Sequence, residues 1–163
     1  MSRNKNILGL MIIALLLTIS CSVGVKTDLL TGLSIKYNGF SVANSFLAKG
    51  NKKTTDVKIK PGEKISLVFT GISGFKTIEG MAYPGASIVV TDSKGKIVLD
   101  IADLFSAYDS TGVDVKLAGE ALTIDFTAPL TGSEKGDKYN WKSRVWDKKS
   151  TSELTCELQL EVE

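Results

Sequence analysis

Apolar and polar residues alternate most regularly at the C-terminal end of the chain. In "ELTCELQLEVE", Leu154, Cys156, Leu158, Leu160 and Val162 point one way, and Thr155, Glu157, Gln159 and Glu161 point the other. The segment before it, "KYNWKSRVWD", divides in the same way. Tyr139, Trp141, Ser143 and Val145 share one face; Asn140, Lys142, Arg144 and Trp146 share the other. Folded back through "DKKSTS", these two strands predict a hairpin with Lys142 and Arg144 set near Glu157 and Gln159. Trp141 is then the inner aromatic of a two-layer core, packed on Leu158 or Leu160. Cys156 falls on the apolar face as a small core residue.

Shorter alternating runs precede the hairpin, separated by "YNG", "KPGEK", "GISG", "YPG", "DSKGK" and "LTGSEKGD", all turn-forming sequences. They predict strands at Leu33–Tyr37, Phe40–Leu47, Thr54–Lys60, Lys64–Thr70, Ser87–Thr91, Lys96–Ile101, Val113–Leu117 and Leu122–Thr127. "IADLFSAY", Ile101 to Tyr108, is the one stretch that reads as a short helix. No repeat, low-complexity tract or internal linker interrupts the series. The expected fold is all-β, a single antiparallel β-sandwich of Ig-like or jelly-roll-like type spanning residues 32–163. A chain of 163 residues is long enough to bury a core without disulfides or metal.

The first twenty residues break this pattern. "MSRNKN" is basic, Ile7 to Ile19 is a thirteen-residue apolar run, and Ser20 stands directly before Cys21. A basic flank, a short apolar run and a small residue make an export signal. The cysteine at the junction resembles the lipobox of bacterial lipoproteins. Ile19 and Ser20 fit that family's preferences, and Thr18 departs from its usual leucine. The resemblance implies a signal peptide at 1–20, diacylglyceryl transfer to Cys21, cleavage before it and acylation of the new amine. Two or three acyl chains on one residue make a durable anchor, since each buried CH₂ contributes about 0.8 kcal/mol. Ser22, rather than an aspartate, directly after the cysteine implies an outer membrane facing the periplasm, with the cell surface as the alternative. Residues 21–31 are expected to form a short tether, at most about 35 Å when extended from Ser22. Two other readings stay open: a retained membrane span, since Ile7–Val25 is nineteen uncharged residues, close to the roughly 20 a helix needs, and an ordinary cleaved signal. Behind the lipobox the chain is similar to the small sandwiches of envelope lipoproteins, without a specific domain family.

Charge and composition narrow the chemistry. The formal charge is +2, and Arg3 and Lys5 supply that excess. A chain beginning at Cys21 would be neutral, with no overall field to attract nucleic acid. The absence of histidine excludes imidazole bases, His-based triads and His-containing zinc sites.

Three features remain as candidates. Trp146 lies on the polar face beside Arg144 and Lys142. This row is either a ligand or partner face, or a tryptophan covered by Arg144. Asp92, Asp100, Asp103, Asp109 and Asp114 are turn-capping residues or, in "DSTGVD", part of a Ca²⁺ loop. Lys49, Lys52, Lys53, Lys58, Lys60 and Lys64 would discourage edge pairing or meet headgroups or an acidic partner. The leading expectation is a non-catalytic, lipid-anchored binding or structural module contacting another envelope component or a carbohydrate. The alternative is a membrane-attached, glycan-acting enzyme using Asp and Glu carboxylates.

Overall fold

A computed structural model describes residues 23–163. The expected signal peptide at 1–20 and Cys21 lie outside the described residues. Thirteen strands account for most of the described residues: β1 (Val23–Thr27), β2 (Ser34–Asn38), β3 (Ser41–Lys49), β4 (Lys52–Thr54), β5 (Lys58–Ile59), β6 (Lys64–Ser73), β7 (Met81–Ala82), β8 (Pro84–Asp92), β9 (Ile97–Ile101), β10 (Val113–Asp114), β11 (Ala121–Thr127), β12 (Lys138–Asp147) and β13 (Glu153–Val162). One short helix, α1 (Val115–Glu120), precedes β11.

The larger sheet runs β1-β2-β13-β12-β8-β9, with β5 joined in parallel to the end of β13. The smaller sheet runs β11-β6-β3-β4, and β7 and β10 form a separate two-stranded ladder. All pairings except that of β5 are antiparallel. The fold is a β-sandwich.

Alternation explains both the layers and the core between them. Along β12 the burial is strictly two-periodic, with Tyr139, Trp141, Ser143, Val145 and Asp147 inside. On β13 the inner set is Leu154, Cys156, Leu158, Leu160 and Val162. From the smaller sheet come Leu47, Ile65, Leu67, Phe69, Leu122, Ile124 and Phe126. Phe126 joins the layers, its ring 5.4 Å from that of Tyr139 and 6.0 Å from that of Trp141. The Trp141 indole N–H donates to Ser143 Oγ at 2.6 Å, so the buried donor is satisfied inside the layer.

The hairpin strands occupy the expected ranges, and the structure corrects several other expectations. Val23–Thr27, read as tether, is an edge strand paired with β2 from Val23↔Asn38 to Thr27↔Ser34. Thr54–Lys60 divides between β4 and β5, because Asp56 folds the chain between them: its carboxylate accepts from Lys58 N and from Lys49 Nζ, each at 2.9 Å. Val113–Leu117 keeps only two strand residues before α1 begins. Asp114 caps that helix, its Oδ1 accepting from Lys116 N at 2.8 Å and Leu117 N at 3.4 Å. Gly119 lets the helix lie on β6, since a Cβ there would stand 2.8 Å from Ile72 O. Ile101–Tyr108 supplies the end of β9 and a single 3₁₀ turn, Ser106–Tyr108, rather than an α-helix.

Candidate functional site

The outward face of the larger sheet carries the candidate site. Strand β12 runs between β13 and β8, so the residues opposite its polar row are fixed by register. Asn140 stands between Gln159 and Thr91, and Lys142 stands between Glu157 and Val89. Ser34 of β2 extends the second row beyond Glu157. Together Ser34, Thr91, Asn140, Lys142, Glu157 and Gln159 line a shallow groove of about 490 Å³, with Gly32 at its margin.

The outward side chains along the groove are polar and its charges are paired loosely. Lys142 Nζ and Glu157 Oε1 are 3.8 Å apart, and both side chains are mostly exposed. Such a pair contributes little to stability, about 0–1 kcal/mol, and its groups can exchange partners at low cost. Gln159 Nε2 donates to Asn140 Oδ1 at 3.0 Å. That bond leaves the Asn140 amide N–H₂ and Gln159 Oε1 without partners among the described residues, one donor group and one acceptor side by side. Ser34 and Thr91 add hydroxyls that donate and accept.

Trp146 and Arg144 continue the same face, with different contacts from those of Lys142. The indole of Trp146 lies against β8, so close that a Cβ on Gly85 would fall 2.2 Å from its Cε2. The Arg144 guanidinium stands over the ring, 5.0 Å from its centroid. The β8 backbone and this guanidinium cover much of the indole, in the arrangement expected of a tryptophan covered by Arg144. Arg144 itself is held by Glu153, at 2.6 Å from Nη2 and 2.8 Å from Nε. The expected pairing with Glu157 or Gln159 is corrected. Arg144 is opposite Thr155, and its carboxylate partner is the diagonal Glu153.

The clustered aspartates are engaged elsewhere. Asp92 accepts from Lys94 N and Lys96 N at the β8–β9 turn, each at 2.9 Å, and Asp114 caps α1. Asp103 and Asp109 both close on the ammonium of Lys148, the former at 2.6 Å. Burial pushes the Asp103 carboxyl up, but Lys148 and the N–H groups of Phe105 and Ala86 outweigh it, leaving the group below its ordinary value. Burial likewise acts to lower Lys148, and the two carboxylates outweigh it and raise the group. Among the described residues no three acidic or cysteine side chains are grouped to hold a metal ion.

The early lysines also have identifiable places. Lys52 and Lys53 lie on β4, the exposed edge of the smaller sheet, where charge opposes edge pairing. Lys49 bridges Asp56 and Glu63, Lys60 meets Glu163, and Lys64 meets Asp125. Cys156 is buried, with its thiol pushed far up by desolvation.

No protein-family model matches the chain, and no curated protein matches it. Among solved structures, the crystal structure of the C-terminal domain of Wzt is similar, with a TM-score of 0.50 at 8% identity, covering 89% of this chain and 79% of that one. At that identity the likeness concerns the fold.

Proposed function

We propose that this chain is a lipid-anchored, non-catalytic protein of the bacterial envelope, and that the outward face of its larger sheet binds a carbohydrate. The observation that carries the reading is the Asn140–Gln159 and Lys142–Glu157 groove. Amide, hydroxyl and weakly paired charged groups stand there in two adjacent rows. Sugars present neighbouring hydroxyls that donate and accept at once, and rows of side-chain amides and hydroxyls match that chemistry. Glu157 is the one carboxylate lining the groove among the described residues. Glycoside hydrolysis by the common route needs two. The mechanism of this reading is display: the anchor at Cys21 fixes the position, and the sheet face makes the contact. The favoured location is the periplasmic side of an outer membrane, with the cell surface as the alternative.

Two measurements test the two halves of the reading. Membrane fractionation compares the full chain with Cys21→Ser, which is expected to shift to the soluble fraction. The purified lipoprotein in detergent is then presented to an array of bacterial envelope glycans, beside Asn140→Ala/Gln159→Ala. The wild type is expected to retain a defined set of oligosaccharides, and the double variant to lose them without a change in melting temperature. Equal binding by both proteins would remove the groove from the account, and a Cys21→Ser protein still in the membrane would remove the lipid anchor.

A further inference from the structure

The N-terminal edge of the larger sheet exposes apolar side chains that nothing among the described residues covers. Val23 is 69% exposed, Val25 66%, Leu29 92% and Leu30 78%. Val25 and Val23 stand opposite Lys36 and Asn38 of β2, and together with Thr155 they border an apolar groove of about 290 Å³ on the outward face of β1. The two leucines cap the other end of the strand in a loop built by its own hydrogen bonds. Leu30 N donates to Asp28 Oδ1 at 2.9 Å, Gly32 N to Asp28 O at 2.8 Å, and Asp28 N to Leu33 O at 2.9 Å. These bonds hold Leu29 and Leu30 outward. Four large aliphatic side chains within eight residues thus stand exposed along this edge, two on the strand and two in the loop after it, and exposed apolar surface of this kind is where docking occurs.

The chain before the strand indicates what covers it. Cys21 precedes Val23 by two residues, a reach of about 7 Å when fully extended. The apolar run ending at Ile19 is only two residues further back. Acyl chains on Cys21 would bring β1 to the bilayer surface, and so would the apolar run if it were retained. We infer that the domain docks on the membrane through this edge, with Leu29 and Leu30 seated at the acyl boundary and Lys36 facing headgroup phosphates. The inference rests on the membrane attachment proposed above. It converts a one-point tether into a two-point mount with a fixed orientation. Strand β12 is then three strand spacings, about 14 Å, from the docked edge, so a ligand in the groove would be held beside the membrane.

The test uses the full lipoprotein carrying Leu30→Cys, labelled with an environment-sensitive fluorophore. Cys156 is buried, and in the lipidated protein the Cys21 thiol is held in the diacylglyceryl thioether. The protein is reconstituted into vesicles of phosphatidylcholine and phosphatidylglycerol that contain a lipid with a spin label near the acyl boundary. Ser93→Cys, in the β8–β9 turn, is the control, and Leu29→Cys is a second docking probe. For protein that floats with the vesicles, the labels at 29 and 30 are expected to emit to the blue of the control and to be quenched about threefold more strongly. Flotation with equal quenching at all three positions overturns the docking alone and leaves the anchor. Protein that does not float overturns the attachment and the docking with it.

Discussion

Replacing Gly85 with alanine tests how Trp146 is held. An alanine Cβ would sit 2.2–2.5 Å from Cε2, Cζ2 and Nε1 of the indole, inside any permissible contact. The β8 backbone is fixed by its ladder with β12, including the Trp146↔Gly85 pair, so the ring has to give way. A tryptophan buries about 150–250 Å² when fully covered. Lifting off half of that, at about 25 cal/mol per Å², costs about 2.5 kcal/mol. Losing the Arg144 stack adds about 0.5–1 kcal/mol, and the better strand propensity of alanine returns about 0.5 kcal/mol. The net loss of about 2.5–3 kcal/mol lowers the melting temperature by about 10 °C for a domain of this length. Tryptophan fluorescence reads the displacement directly. Trp141 is buried and keeps its environment, so a red-shifted emission with stronger acrylamide quenching reports Trp146. An unchanged spectrum with a melting point within about 2 °C of the wild type would refute the packing of Trp146 on Gly85.

Three further outcomes follow from other contacts. Asp147 is buried and accepts from Lys76 N, Lys149 N and Ser150 Oγ at 2.7–2.9 Å; Asp147→Ala should destabilise by about 3 kcal/mol, read by chemical denaturation. The folded value of Asp103 is depressed, so its contribution is present above its unfolded value near 3.8 and is lost as pH falls through the lower folded one. Lys148 is raised, so its contribution is complete below its unfolded value near 10.5 and fades as pH rises through the folded one. A stability–pH profile should therefore fall at both extremes, with Asp103→Asn flattening the acid limb and Lys148→Met the alkaline limb. The Cys156 thiol, buried and shifted upward, should resist a thiol reagent at pH 8 in the native protein and react at once in denaturant.

The most legible part of this molecule was the part with the strictest period. Ten residues on β12 and ten on β13 alternate without a break, so their faces, the core positions of Trp141 and Cys156, and the Lys142–Glu157 pair followed from the sequence. Arg144 was misassigned because its partner depends on a diagonal contact set by the turn, two positions from the residue directly opposite. Val113, Val115 and Leu117 alternate as a strand would. The competing signal was Asp114, whose side chain satisfies the first free N–H groups of a helix. β1 was missed because "VGVKT" follows the N-terminal apolar run and is too short to show a period; its pairing with β2 is what orders it. The candidate groove was half legible. Asn140 and Lys142 share a face by alternation alone, but the placement of Thr91 on one side and Ser34 beyond Glu157 depends on pairings between distant segments. Local sequence carries no record of those neighbours.

The most direct test of the account is a chemical-shift map of the ¹⁵N-labelled protein in detergent micelles, titrated with an oligosaccharide that the array selects. The account predicts perturbations concentrated at Ser34, Thr91, Asn140, Lys142, Glu157 and Gln159, including the side-chain amides of Asn140 and Gln159. Perturbations confined to the loops at the ends of the sandwich, with the β12 and β13 outward residues unmoved, would contradict it.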